Sequence, residues 1–225
     1  MPLSRQAATT TRPVQITLPD ATLQGDLAVP HGASGIILFA HGSGSSRHSP
    51  RNRFVAESLQ DAGFGTLLLD LLTEDEERQD LRTRSFRFDI DLLASRLSGA
   101  ADWLQQHRPT PKADIGLFGA STGAAAALIA AADRPSLIAA VVSRGGRPDL
   151  AGAALPRVSA PTLLIVGGDD LPVIDLNRRA FAALSATKRL EIVPGASHLF
   201  EEPGALEQVA RLAASWFEKY LPSGA

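Results

Sequence analysis

The pentapeptide Gly119-Ala120-Ser121-Thr122-Gly123 matches the pattern G-x-S-x-G, in which one serine stands between two glycines. An apolar run precedes it and an alanine-rich run follows it, which predicts a sharp turn from a buried strand into a helix. A serine at the apex of such a turn has a strained backbone, and the flanking positions need glycine because side chains there would collide. The exposed Ser121 hydroxyl is therefore a candidate nucleophile.

A serine hydroxyl is a weak nucleophile unless a base removes its proton, and the base works best when an acid fixes its tautomer. Of the five histidines, His198 directly follows the last predicted strand, so it is the candidate base. Asp169 and Asp170 follow the strand before it, and Asp149 follows an earlier strand. Position alone leaves all three carboxylates open as the acid. Without such partners, the pentapeptide would also fit an ordinary glycine-rich turn.

The elements that must position these residues alternate between strand and helix from residue 35 onward. Continuous apolar runs predict buried strands, and amphipathic stripes predict helices between them. The predicted strands lie at 35–40, 64–69, 115–118, 137–143, 162–166 and 188–193, and the predicted helices at 49–62, 89–106, 124–132, 177–184 and 203–220. This alternation indicates an α/β protein with a mostly parallel sheet and helices on both faces, in which ligands bind at the carboxyl ends of the strands.

The two ends of this pattern are simpler. Residues 1–13 are predicted to form a flexible N-terminal tail, and residues 14–225 a single domain. Alternating apolar and polar residues at 14–18 and 22–29 predict a hairpin at the edge of the sheet.

The segment 73–89 is dense in charge and allows two interpretations. We favour a solvated surface segment in which ion pairs form between residues four positions apart. The other interpretation is a flap beside the site, because the segment leaves the same edge of the sheet as Ser121.

Composition limits the classes of function. The formal net charge of −2 gives no electrostatic reason to expect nucleic acid or an anionic membrane as a partner. The absence of cysteine excludes disulfides, a thiol nucleophile and Cys-ligated metal sites. No signal sequence or apolar run of membrane-spanning length is visible, so we expect a cytoplasmic protein. His41 has no partner at a ligand-like spacing, so we expect it to shape its own loop through hydrogen bonds and expect no metal.

The order Ser121, Asp170, His198, together with the loop His41-Gly-Ser-Gly and the alternating elements, resembles the α/β-hydrolase superfamily. Within it, the short chain without a cap is similar to the dienelactone hydrolase-like branch. The resemblance implies the α/β-hydrolase fold, with an eight-stranded sheet whose first hairpin is antiparallel. It also implies an oxyanion hole made by the backbone N–H groups of Thr122 and of Ser43 or its neighbour Gly44, and no cofactor.

The same resemblance favours Asp170 over the other two aspartates. The family pattern after this strand is similar to G-x-x-D-x-x-V, and Gly167, Asp170 and Val173 fit it without a gap. The following Leu171-Pro172 would also stiffen the loop that holds the acid. Dienelactone hydrolases proper carry a cysteine at the elbow, so Ser121 favours a general serine esterase over a lactone hydrolase.

The interval 144–161 is too short for a helical lid domain, so we expect an open site. Arg144 and Arg147 are predicted at its rim, where they could hold a substrate carboxylate. The simpler interpretation, which we favour, is a loop salt bridge such as one between Arg147 and Asp149. Four residues, Leu171, Pro172, Leu199 and Phe200, are expected to form apolar walls of the acyl pocket or to belong to the core.

These observations predict a serine carboxylesterase that cleaves small esters through a Ser-His-Asp triad and an acyl-enzyme. An acyltransferase or an amidase would use the same triad, and a non-catalytic ligand-binding or regulatory module could share the fold. The expected partner is a small-molecule ester, and the sequence does not fix the oligomeric state.

Overall fold

The computed structural model describes residues 9–107 and 113–221. In these ranges eight strands form one sheet in the order β1-β2-β4-β3-β5-β6-β7-β8. The strands are β1 (Thr11–Thr17), β2 (Thr22–Ala28), β3 (Gly35–Ala40), β4 (Gly65–Leu69), β5 (Asp114–Ala120), β6 (Ile138–Arg144), β7 (Thr162–Gly167) and β8 (Lys188–Val193). β2 pairs antiparallel with β1 and β4. The other neighbouring pairs in this order, from β4-β3 to β7-β8, are parallel. The predicted hairpin and the mostly parallel sheet are confirmed.

Helices cover both faces of this sheet. They are α1 (Pro50–Asp61), α2 (Glu74–Thr83), α3 (Ile90–His107), α4 (Thr122–Asp133), α5 (Leu171–Ala183) and α6 (Ala205–Tyr220). One core contains side chains of α1 and α6, and the other contains side chains of α3 and α4. Both cores include side chains of β3. Ile37 and Phe39 lie in the core with α1 and α6, and Ile36 and Leu38 lie in the core with α3 and α4. This explains why the strand is apolar throughout rather than alternating.

The start of α1 follows its sequence signals. The Ser49 hydroxyl accepts a hydrogen bond from the Asn52 N–H at 3.4 Å, and Pro50 occupies the first helical position. The start of α5 differs from the prediction, because the helix begins at Leu171 rather than at residue 177. Pro172 fits the first turn of a helix, so the turn after β7 leads directly into α5.

The N-terminal boundary also differs from the prediction. β1 begins at Thr11, inside the predicted tail, because Thr11 and Pro13 are paired with Ala28 and Asp26 of β2. Proline is tolerated there because β1 is an edge strand. The predicted tail residues 1–8, the helix-ending prolines Pro109 and Pro111, and residues 222–225 lie outside the described residues.

One further connection bears on access to the site. Between β6 and β7 the chain forms a short 3-10 helix, Pro148–Arg157, and no lid domain is inserted there.

Within the ranges that the structure describes, no helix is both long and apolar enough to cross a membrane.

Candidate active site

Ser121 occupies the turn between β5 and α4 in a strained backbone conformation. Its φ of 50° and ψ of −121° lie in a region that residues with a side chain rarely adopt. Three backbone hydrogen bonds hold it there: Ser121 N–H donates to the Arg144 carbonyl at 3.3 Å, and the Ser121 carbonyl accepts from Arg147 N–H at 3.0 Å and from Ala124 N–H at 3.1 Å. Such strain persists only where the surroundings over-determine it, and it is concentrated at functional sites.

The two glycines of the pentapeptide are required for different reasons. A Cβ on Gly119 would lie 2.5 Å from Ala124 Cα and 2.7 Å from the Gly123 carbonyl oxygen, which is the predicted collision across the turn. A Cβ on Gly123 would instead lie 2.3 Å from the Ala40 carbonyl oxygen and 2.5 Å from that of His41. The second glycine therefore lets α4 approach the end of β3.

This close approach brings the loop after β3 against the serine. A Cβ on Gly42 would lie 2.9 Å from Ser121 Cβ, so the backbone at Ser43 begins beside the nucleophile. Thr122 is the first residue of α4, where a backbone N–H has no acceptor within the helix and the helix dipole is positive. The two predicted donors, Ser43 and Thr122, thus lie in the two segments that border Ser121.

His198 contacts one of the three candidate acids. Its Nδ1 lies 2.6 Å from Asp170 Oδ2. Asp169 is exposed, and its backbone N–H donates to the Ala196 carbonyl at 3.0 Å. Asp149 accepts hydrogen bonds from Arg147 Nε at 2.9 Å and Nη2 at 2.8 Å. Of the three, Asp170 is the one whose side chain contacts His198.

The end of β6 joins the elbow to the histidine loop. Arg144 accepts the hydrogen bond from Ser121, and the next residue is Gly145 with a φ of 51°. A Cβ on Gly145 would lie 2.9 Å from the His198 carbonyl oxygen and 3.8 Å from His198 Cε1. Ser121 and His198 therefore flank the same two-residue segment at the carboxyl edge of the sheet.

His41 fixes the shape of the loop after β3, as predicted. Its buried ring contacts the Gly42 carbonyl through Nδ1 at 2.9 Å and accepts a hydrogen bond from Leu71 N–H at Nε2, at 3.1 Å. This pattern requires the neutral tautomer protonated on Nδ1. Burial lowers the pKa of His41, against weaker opposing effects of the Gly42 hydrogen bond, Asp70 and Glu77. In the described parts of the chain, no three His, Asp or Glu side chains are grouped to hold a metal.

The two arginines predicted at the rim have different surroundings. Arg147 forms the predicted ion pair with Asp149. The rim position is wrong for Arg144, which is 7% exposed and points from β6 toward α1, where its Nη2 donates to Asn52 Oδ1 at 3.1 Å. Burial lowers the pKa of the Arg144 guanidinium to about 10, and the nearby Arg51 adds to the effect.

The model of the dienelactone hydrolase family matches residues 23–221. The chain belongs to the dienelactone hydrolase family. A crystal structure of a dienelactone hydrolase from Anabaena variabilis is 62% identical, with a TM-score of 0.93, and the match covers 95% of this chain and 99% of that one. The suspected family is thereby confirmed.

Two other relatives place limits on this comparison. A Mycobacterium tuberculosis protein provisionally named a phosphoribosyl transferase is 57% identical over 215 residues, which are 94% of this chain and 48% of that protein. The chain thus spans about half the length of the curated relatives it matches. A Xanthomonas campestris α/β serine hydrolase without a lid is 21% identical with a TM-score of 0.74, over 96% of this chain and 97% of that one, which shows the shared fold.

In this family member the predicted apolar walls lie on the surface of the site. Leu171 is 67% exposed and Leu199 is 40% exposed, next in sequence to Asp170 and His198 respectively. Neither side chain belongs to the core, in contrast to the neighbouring Phe200, which is 1% exposed. Their positions suit contact with a substrate at the mouth of the site.

The charged segment 73–89 combines features of both interpretations. Most of α2 is exposed, as predicted for a solvated segment, but its ion pairs are not four residues apart. Asp75 pairs with Arg78, and Glu76 reaches Arg96 on α3 at 2.7 Å. Glu76 also forms a capping box with Thr73 that fixes the start of α2.

The same segment borders a cavity that sequence reasoning missed. The cavity lies at the loop after β3 and has a volume of about 40 Å³, and its lining includes residues 41–45 of that loop, Leu72, Leu81 and Arg87. Arg87 is held by Asp80, whose side chain is nearly fully buried. The dense charge at 73–89 was the one feature of the sequence that could have indicated this arrangement. Two ion pairs, Asp80 with Arg87 and Glu76 with Arg96, hold α2 beside the cavity.

Proposed function

We propose that this family member is a serine carboxylesterase in which Ser121, His198 and Asp170 form the catalytic triad. The observation that carries the proposal is the 2.6 Å contact between His198 Nδ1 and Asp170 Oδ2, at the sheet edge that also holds the strained Ser121. An ionised Asp170 accepts the Nδ1 hydrogen, which leaves the Nε2 lone pair of His198 free to accept a proton.

In the proposed reaction, Ser121 Oγ attacks the ester carbonyl carbon while His198 Nε2 takes the hydroxyl proton. The negative charge that develops on the carbonyl oxygen is stabilised by the N–H groups of Thr122 and Ser43. The tetrahedral intermediate collapses, the C–O bond to the alcohol breaks, and His198 returns the proton to the departing oxygen. Water then attacks the acyl-enzyme with His198 as base, which releases the acid and regenerates Ser121.

The surroundings of the triad support a preference for small esters. The chain between β6 and β7 forms only a short 3-10 helix, and the exposed apolar side chains next in sequence to Asp170 and His198 are Leu171 and Leu199.

Acyl transfer and amide hydrolysis remain alternatives, because they use the same groups with a different acceptor or leaving group. The phosphoribosyl transferase name of the mycobacterial relatives is a weaker guide to this chain, because the chain matches only about half of each relative. A G-x-S-x-G turn with an Asp-paired histidine supports acyl chemistry at a serine rather than transfer of a phosphoribosyl group.

The proposal is tested by labelling with a fluorophosphonate, followed by assays on p-nitrophenyl esters, p-nitrophenyl amides and added alcohol acceptors. We expect a single adduct on Ser121 and the fastest turnover with esters. A protein that takes no label and hydrolyses no ester would be a binding module, and the proposal would be wrong. Faster turnover with an alcohol acceptor or an amide would move the assignment to the corresponding alternative.

A further inference from the structure

The two edges of the sheet differ in their capacity to pair with a further strand. At the β1 edge, the Leu18 N–H donates to the Ala21 carbonyl at 2.7 Å, which fixes the alternation of the β1–β2 ladder. In that alternation the Pro13 nitrogen points away from β2. Proline has no N–H to donate, so a further strand that pairs along β1 would lose a hydrogen bond there.

The β8 edge has no such block. In the described chain β8 is the last strand of the sheet, and it contains neither proline nor glycine. The carbonyls of Thr187 and Val193 accept hydrogen bonds from β7 and from the turn after it, at 2.9 and 2.7 Å. Because alternate residues of a strand direct their backbone groups to opposite sides, the residues between these two in the same alternation face outward. The outward residues are Lys188, Leu190 and Ile192.

The charges of β8 select one register for antiparallel pairing with a second copy. In a two-fold dimer, outward residues must face outward residues, so the axis passes beside Arg189, Leu190 or Glu191 if most of the strand is to pair. An axis at Arg189 puts this arginine opposite itself, and an axis at Glu191 does the same for the glutamate, and like charges directly opposite are destabilising. An axis at Leu190 instead puts Arg189 opposite Glu191 twice.

The other side chains of β8 suit the same register. With the axis at Leu190, this leucine faces its own copy and Lys188 faces Ile192, which is 37% exposed. The Lys188 ammonium is turned back toward α5, where its Nζ donates to the Leu184 carbonyl at 2.6 Å and lies 4.8 Å from the centre of the Phe181 ring. The apolar stem of Lys188, rather than its charge, would therefore cover Ile192.

Charged side chains on an edge strand can also serve to prevent pairing, but the arrangement on β8 does not suit that role. Arg189 and Glu191 form an ion pair with each other, and their side chains are 62% and 24% exposed. This pair leaves no net charge to repel a second copy. Each residue can exchange its partner for the same residue of that copy, so the pairing would leave no charge unpaired.

Pairing at this edge would leave both active sites open. A groove of about 270 Å³ lies between β8 and the end of α6, with Arg189, Trp216 and Tyr220 in its lining, so α6 does not cover this side of the edge. In antiparallel pairing, the carboxyl ends of the parallel strands point in opposite directions in the two copies. The Ser121 sites would therefore face away from each other.

We propose that the chain forms a two-fold dimer in which β8 pairs antiparallel with β8 of a second copy, centred on Leu190. Because Pro13 blocks the other edge, the pairing closes at two copies instead of extending into a filament. The paired strands are short, so we expect a dimer that dissociates at low protein concentration. The dimer does not depend on the proposed esterase function.

The first test is sedimentation velocity of the wild type from about 1 μM to 1 mM, a range that spans the dissociation constants of weak complexes. We expect dimers and no larger species. Arg189→Glu should raise the dissociation constant by about tenfold or more, because glutamate then faces glutamate on both sides of the axis. The double variant Arg189→Glu/Glu191→Arg should return it to within about 3-fold of the wild type, because opposite charges face each other again.

Arg78→Glu is the matched control, since it makes the same change of charge in an exposed ion pair on α2, and it should dimerise like the wild type. A wild type that stays monomeric throughout the range would overturn the proposal. So would a dimer that Arg189→Glu leaves intact, or one that the folded double variant does not restore.

The second test does not depend on the charges. The chain has no cysteine, so a single introduced thiol reports proximity without background. In Leu190→Cys the two Cα atoms would lie about 5.5 Å apart across the axis, within the range of a disulfide. Mild oxidation with oxidised glutathione should link this variant into dimers, whereas Arg12→Cys on β1 should remain largely monomeric. Equal cross-linking of both variants would indicate random collision and would overturn the proposal.

Discussion

His198 Nδ1 lies 2.6 Å from Asp170 Oδ2, although 28 positions separate the two residues in the chain. The contact depends on the pairing of β7 with β8, which brings the loops after both strands together. Two backbone hydrogen bonds join these loops, from Gly168 N–H to the Val193 carbonyl at 2.7 Å and from Asp169 N–H to the Ala196 carbonyl. Asp169 therefore joins the two loops through its backbone N–H, whereas Asp170 contacts His198 through its side chain.

Asp170→Asn should lower kcat for a p-nitrophenyl ester by up to about four powers of ten, because the amide no longer holds His198 in the tautomer that can act as a base. Asp169→Asn and Asp149→Asn serve as matched controls. Each should change kcat by less than about tenfold, since neither side chain contacts His198. If either control is the crippled enzyme while Asp170→Asn stays active, the acid is assigned to the wrong residue.

Replacing Ser121 separates catalysis from backbone strain. Ser121→Ala should lose about three to six powers of ten in kcat and remain folded. Ser121→Gly should be equally inactive but more stable than Ser121→Ala by about 1 kcal/mol, because glycine tolerates the φ of 50° and the relieved strain exceeds its entropy cost. Denaturant unfolding of both variants measures the difference, and an alanine variant as stable as the glycine variant would show that the turn is unstrained.

The turn at Ser121 was readable from sequence because the collision at Gly119 is with Gly123 and Ala124 of the same turn, whereas the contact of Gly123 with Ala40 at the end of β3 was not. The alternation of β3 to β8 with helices was readable for the same reason. The direction of Arg144 was not predicted, since the glycine-rich segment after it suggested a loop, whereas β6 continues to Arg144 and turns its side chain toward α1.

Contacts between distant residues account for the other differences. Glu76 of α2 pairs with Arg96 of α3, and Arg53 of α1 pairs with Asp26 of β2, at separations of 20 and 27 positions. A charge pattern within one segment cannot indicate such partners, so the interpretation of 73–89 by local ion pairs failed. The pairing of Arg147 with Asp149 was predictable because only one residue lies between them.

Gly123→Ala should prevent folding or destabilise the protein by more than about 4 kcal/mol, because the added methyl group would lie 2.3 Å from a backbone oxygen of β3 that cannot move freely. Gly32→Ala is the control, since its added Cβ meets no atom within 4 Å and its cost comes from a positive φ of 73°, which Gly123 does not have. The control should cost only about 1 kcal/mol. Yield of folded protein and the midpoint of urea unfolding distinguish the two, and equal losses would mean that the contact with β3 is not what makes Gly123 necessary.

Chain length of the substrate provides a test of the open site. With only a short 3-10 helix between β6 and β7, we expect kcat/KM to be highest for p-nitrophenyl acetate or butyrate and to fall as the acyl chain grows. The rate should also rise smoothly through the solubility limit of a triglyceride, because no lid domain is present there to open at an interface. A preference for long-chain emulsions would contradict this description of the site.

His41 should make the fold sensitive to mild acid. Burial lowers the pKa of His41 below the ordinary value of 6.5, so the folded state keeps the ring neutral where the unfolded chain takes up a proton. The unfolded state then binds more protons, and the free energy of unfolding should fall as the pH decreases below about 6.5, by up to about 1.4 kcal/mol per pH unit. Glu76 contributes separately at lower pH, since its hydrogen bond with Arg96 lowers its pKa to about 2.

The measurement for His41 is urea unfolding between pH 5 and pH 8, because unfolding reports the stability of the fold directly and activity does not. His41→Gln removes the titrating ring but keeps a donor and an acceptor for Gly42 and Leu71, so its stability should vary less across this range than that of the wild type. His31→Gln, which changes an exposed turn residue, should follow the wild-type curve. Parallel curves for the wild type and His41→Gln would show that a different group causes the acid sensitivity, and that the neutral ring is not what holds the loop beside Ser121.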